Sequence, residues 1–206
     1  MAGKPEGALL EVSRAPAGLA AEVDRLRARV RALEEENGQL GDALVEAMDR
    51  ADELVQQVAT LIRIHGAAQV EELLQAMQEV VIDVIGSGEL GIYALQDGSL
   101  RLLRALGREG GGHPERIAMG QGTAGRVAAA GRPWVAARDG APDPGEDELT
   151  ACVPLLAEGR VVGLITIYRL LVHKPELREA DLVVLELLAI HGGQALHLRR
   201  AAERAA

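Results

Sequence analysis

TACVPLLAEGRVVGLITIYRL, residues 150–170, holds two apolar runs split by Glu158-Gly159. Two β-branched-rich runs separated by a tight Gly-containing pair read as a β-hairpin. A second hairpin stands upstream, where LGIYALQ (90–96) and SLRLLRALG (99–107) flank Asp97-Gly98. Between them lie a short strand, RIAMG (116–120), and GQGTAGRVAAAG (120–131), a Gly-opened helix of about two turns closed by Gly131. PWVAA (133–137) reads as another short strand, followed by ARDGAPDPGEDEL (137–149), an acidic Pro/Gly-rich loop. Outward on either side are amphipathic helices, VEELLQAMQEVVIDVIG (70–86) and Arg178–Arg200. The order helix, hairpin, small helix, hairpin, helix predicts an α+β domain over 65–202, an antiparallel sheet flanked by helices.

N-terminal to this domain the periodicity changes. After a Pro/Gly-containing lead-in, residues 1–18, a seven-residue pattern runs through 19–64. Val23, Val30, Asn37, Leu44, Ala51 and Val58 fall at position a; Leu26, Leu33, Leu40, Ala47, Leu54 and Leu61 fall at d. A 3-then-4 spacing held this long makes a seam that buries only against another helix, so a long coiled coil is expected. β-Branched a residues with Leu at d favour a parallel dimer, and Asn37 can pair with its own copy to fix register. The flanking charges agree, since a parallel pair sets Glu22 against Arg27 and Arg29 against Glu34. Gly38 and Gly41 mark a soft joint.

Composition narrows the function. The net charge of −9 disfavours nucleic acid and anionic membrane surfaces as partners. The aromatic residues are Tyr93, Trp134 and Tyr168, with no Phe, so stacking platforms for bases are scarce. Cys152 is alone, which rules out an internal disulfide and a thiolate metal cluster. The N-terminal stretch lacks a signal peptide's apolar run, and no run approaches a membrane span of about 18 apolar residues. A cytoplasmic protein is the expectation.

EELL (71–74), GIYAL (91–95), IAMGQGTAGRVAAAGRPW (117–134), ACVPLLAEGRVVGLITI (151–167) and LREADLVVLELLA (177–189) together resemble the GAF family of signalling domains. The resemblance covers roughly residues 62–200, in the family's order. It implies a ligand pocket over one sheet face, under the 120–131 helix and the 138–149 loop, with Met119, Trp134, Arg138, Thr150 and Cys152 as lining candidates. It also implies dimers that use the first and last helices as their interface.

The signature of the cyclic-nucleotide-binding members is not intact: His173-Lys174, Leu177 and Asp181-Leu182 stand in for it, and the loop is short. Gly120, Gly122 and Gly125 spell G-x-G-x-x-G, yet the helix behind them is short and antiparallel hairpins surround it, so the glycines read as structural rather than dinucleotide-binding. His65, His113, His173, His191 and His197 lack metal-type spacing, and Glu146-Asp147-Glu148 reads as a solvated acidic run. No nucleophile, base and orienting group come together, so neither catalytic residues, a metal nor a cofactor is expected. Two readings remain. One is a dimeric sensor module that takes a small-molecule ligand and passes a signal to a separate partner protein. The other is a degenerate GAF domain serving as a protein-docking scaffold, with Leu170-Leu171-Val172 as a candidate patch.

Overall fold

The computed structural model describes residues 15–107 and 112–205; most of the expected lead-in, residues 1–14, lies outside them. The chain divides into two compact units at Asp52/Glu53.

The helix α1, Ala15–Gly66, passes from the first unit into the second and is already under way at Ala15, four residues before the expected start of the coil. Its seam is uncovered: exposures run from 38% at Val23 to 62% at Leu40 and Leu44. Charges on its flanks find partners within the helix, Glu22 with Arg25 and Asp24 with Arg27. Such exposed pairs contribute little to stability.

The second unit begins with the last turns of α1, which bury Thr60 and Ile64. Arg199 ties down the end of α1 from a distance, its Nη2 donating to His65 O at 3.4 Å and its Nε to Ala67 O, just past the helix, at 2.7 Å. Helix α2 (Val70–Val80) ends in a π turn, Val81–Ile85, and stops at Gly86 in the left-handed conformation. Among the described residues six strands follow: β1 (Leu90–Gln96), β2 (Ser99–Leu106), β3 (Arg116–Ala118), β4 (Trp134–Val135), β5 (Ala151–Ala157) and β6 (Arg160–Ile167). They form one antiparallel sheet in the order β3-β2-β1-β6-β5-β4. Both expected hairpin turns are present, with positive φ at Asp97, Gly98, Glu158 and Gly159, the backbone that a two-residue turn requires.

Two stretches differ from the sequence reading. Ala136 and Ala137 leave the strand and enter a helical turn, α4 (Ala136–Asp139), because Asp139 Oδ2 accepts the Val135 N–H at 2.7 Å and closes the turn. The last helix is longer than expected and interrupted: α5 (Glu179–Leu187), a π turn (Leu188–Gly192) and α6 (Gly193–Ala205). By length and composition, Glu179–Ala205 is apolar enough to cross a membrane, which no single run of the sequence had suggested. Half of its most apolar window is buried inside the protein, as in a core helix. A Cβ on Gly193 would fall 2.2 Å from Leu156 N, so this helix rests its backbone directly on β5.

The sheet has two unlike faces. Leu90, Ile92, Val153, Leu155, Ile165 and Ile167 pack under α2 and the last helix in the main core. Tyr93, Leu100, Cys152, Leu164 and Tyr168 form a smaller cluster on the opposite side with α3 (Gly122–Ala130).

Candidate functional site

The face under α3 is where the sequence placed a ligand pocket. Alternation puts Leu90 and Ile92 into the main core, so Gly91 and Tyr93 turn to this side. Cys152 pairs with Thr166 across β5–β6, and Thr166 pairs with Gly91 across β6–β1. A row of small and polar residues therefore crosses the centre of the sheet. Thr166 is fully buried, and its hydroxyl donates to Gly91 O at 3.4 Å.

His113 closes over this row. Its Nε2 donates to Leu106 O at 3.1 Å. Because a carbonyl only accepts, that bond places a ring proton on Nε2. Nδ1 lies 3.1 Å from the position a Cβ on Gly91 would take. The ring meets Tyr168 edge-on, centroids 5.3 Å apart. Neither His113 nor Thr166 was singled out from the sequence as part of this site, since strand alternation alone does not say which loop residue will cover a glycine.

The cover over α3 is held by charge. Glu146 accepts from the N–H groups of Thr123 and Ala124, at 2.6 and 3.3 Å, and so caps the first turn of α3. Thr123 Oγ1 accepts the Asp143 N–H at 2.8 Å, and Arg126 forks onto both Asp143 oxygens, Nη2 to Oδ1 at 3.0 Å. The guanidinium holds the Asp143 carboxyl below its ordinary range. The 146–148 run is thus not wholly a solvated loop: Glu146 is half-buried and Glu148 pairs with Arg169. The glycine motif behaves as its structural reading required. Gly120 and Gly122 have positive φ, and a Cβ on Gly125 would strike Ala118 O at 2.2 Å. The helix N-terminus that a bound pyrophosphate would need is taken by the chain's own Glu146.

The five pocket candidates do not all meet. Cys152 is buried in the small cluster, and Met119 and Trp134 pack half-buried against it. Burial, and secondarily the charge of Glu146, push the Cys152 thiol well above its usual range, so it is not a ready thiolate. Arg138 is exposed on α4. Thr150 instead lines a separate open groove of about 460 Å³ with Val135, Glu148, Arg169 and Leu171.

The remnants of the cyclic-nucleotide signature have a structural job. Lys174 Nζ lies 2.7 Å from Asp181 Oδ1 and donates to Val84 O at 3.1 Å. Asp181, 2% exposed, also accepts the Arg178 N–H at 2.7 Å and so caps α5. The pair fastens the segment after β6 to two helices at once. Elsewhere His65 and His191 form a hydrogen-bonded pair. Among the described residues no group of three or more His, Cys, Asp or Glu is placed to hold a metal ion.

The sheet, with one helix-packed face and one face under a short helix and an acidic loop, defines an α+β domain. The sequence pattern of the GAF domain matches residues 67–197, and the chain belongs to that family. No curated protein sequence matches it. Among solved structures it is similar to the GAF domain of a phosphoenolpyruvate-protein phosphotransferase from Coxiella burnetii (TM-score 0.59, 19% identity, covering 74% of this chain and 96% of that one). It is also similar to the A. aeolicus nlh2 GAF domain in an inactive state (TM-score 0.53, 18% identity, 73% and 98% covered). A third is fRMsr of Staphylococcus aureus in complex with its substrate (TM-score 0.53, 17% identity, 70% and 95% covered). At these identities the likeness is one of fold.

Proposed function

We propose that this chain is a cytoplasmic, dimeric GAF sensor module without catalytic output of its own, which passes a signal to a separate partner protein. The observation that carries this reading is the apolar surface left uncovered on the first and last helices of the domain unit. Val58 and Ile62 on α1 are 54% and 65% exposed, and Ile190 and Leu198 on the last helix are 53% and 59% exposed. A second copy that covers both helices and continues along the α1 seam would remove this surface from water. Met119, Trp134 and Cys152 would form one wall of the ligand site, and displacement of the Glu146 loop would open it. The fold does carry a substrate in fRMsr, but the single Cys152 of this chain is buried and its thiol is held protonated.

A docking scaffold is the second reading, favoured by the full exposure of Val172 beside Leu171 and by the side chains that already fill the α3 face. Native mass spectrometry of protein purified from its own host separates the two. Extra mass that leaves on denaturation supports the sensor; a bare dimer supports the scaffold; a bare monomer contradicts the dimeric module.

A further inference from the structure

The heptad that lays out the seam has one more member. Seven residues beyond Val58 stands His65, in the last turn of α1. Its side chain is exposed while the neighbouring Ile64 is buried, so it lies toward the seam rather than toward the sheet. Its Nε2 is 3.2 Å from Nδ1 of His191, with the two rings inclined at 74°. Zinc–nitrogen bonds of 2.0–2.1 Å at tetrahedral angles set two donor atoms about 3.3 Å apart. The two facing nitrogens are therefore already spaced as a metal would space them. For an ion to sit between them, the ring that now carries the shared proton takes up its other tautomer, with the proton on its outer nitrogen, so that both neutral imidazoles present a lone pair.

One chain brings only two such ligands. We propose that two copies of this chain together bind one divalent first-row ion, Zn²⁺ above all, through His65 and His191 of each. This inference rests on the parallel dimer proposed above. An in-register parallel seam sets each a residue against its own copy, which brings the two histidine pairs together where the coiled coil meets the domain. An antiparallel pair would carry them to opposite ends. Imidazole donors suit Zn²⁺, Cu²⁺ and Ni²⁺ rather than Ca²⁺ or Mg²⁺. Exposed Ile190 on the same helix would supply part of an apolar surround. An ion here ties the end of α1 to the last helix in both copies.

Calorimetric titration of Zn²⁺ into the full chain is expected to give one ion per two chains, and cobalt(II) to give the intense visible bands of a tetrahedral nitrogen set. His65→Ala and His191→Ala each abolish the saturable binding, while His197→Ala on the same last helix retains it. Sedimentation of the same samples separates two kinds of failure. A dimer that takes up no zinc, or whose uptake is unchanged by His65→Ala, overturns the metal site and leaves the dimer standing. A chain that stays monomeric overturns the dimer and the metal site with it.

Discussion

The two long helices of this protein use apolar residues in opposite ways. In the last helix Val184, Leu185, Leu188, Ala189 and Leu196 are buried within the chain, and Gly193 brings the helix backbone onto β5. In α1 the apolar residues from Val23 to Val58 stay exposed, and burial begins only at Thr60 and Ile64. The difference lies in the pattern. The last helix has an irregular apolar surface interrupted by His191-Gly192-Gly193, shaped to one sheet. The α1 seam repeats every seven residues, a period that no sheet surface can match and a second helix can. The apolar face of one helix is buried by its own domain; that of the other is left exposed.

That contrast can be broken by mutation, and the largest effect should fall at the foot of the last helix. Asp181→Ala would strand Lys174, whose side chain is 12% exposed, without its carboxylate. A loss of about 3–5 kcal/mol is expected, read from urea unfolding and independent of protein concentration. Ile64→Ala, at the buried end of α1, should cost about 2–5 kcal/mol in the same assay. Leu33→Ala, on the exposed seam, should leave the domain's unfolding unchanged at low concentration and weaken only the association. If Leu33→Ala instead lowers domain stability at every concentration, the two regions are not distinct. Asn37→Val should make the dimer more stable and its stoichiometry less uniform; sedimentation that finds an equally stable, uniform dimer removes the register argument.

The smallest effect concerns the loop over α3. Asp143 titrates below the ordinary aspartate value of 3.8 because Arg126 favours its charged form. The stability this pair contributes is present above 3.8 and disappears as pH falls through the lower folded value. Arg126→Ala should flatten that part of the acid-unfolding curve; an unchanged curve would show that the pair contributes nothing measurable.

Local chemistry made much of this fold readable. Asp97-Gly98 and the glycine of Glu158-Gly159 announced both hairpins because few residue types readily accept that backbone, and Gly86 and Gly131 marked helix ends for the same reason. What was not readable depends on distant partners. Asp139 turning back on Val135 converted two strand residues to helix. Glu146 reaches 23 residues back to cap α3. Lys174 and Asp181 look like remnants of a binding signature until their burial shows them fastening two helices. On the face under α3, Cys152, Met119 and Trp134 share one cluster, as the family's order of elements implied. Arg138 and Thr150 diverged because the helical turn at Ala136–Asp139 carries one to the surface, and the other, just before β5, lines a different groove.

The most direct test of the account concerns the direction and register of α1. Cys152 is buried, so a cysteine introduced as Val23→Cys is the accessible thiol among the described residues. A parallel, in-register dimer sets the two introduced thiols face to face within disulfide reach. Mild oxidation should then convert the chain to a covalent dimer that reducing agent reverses, while Arg25→Cys, off the seam, cross-links poorly. A Val23→Cys chain that stays monomeric under oxidation, or links no better than Arg25→Cys, would contradict the parallel coiled coil on which the dimeric module depends.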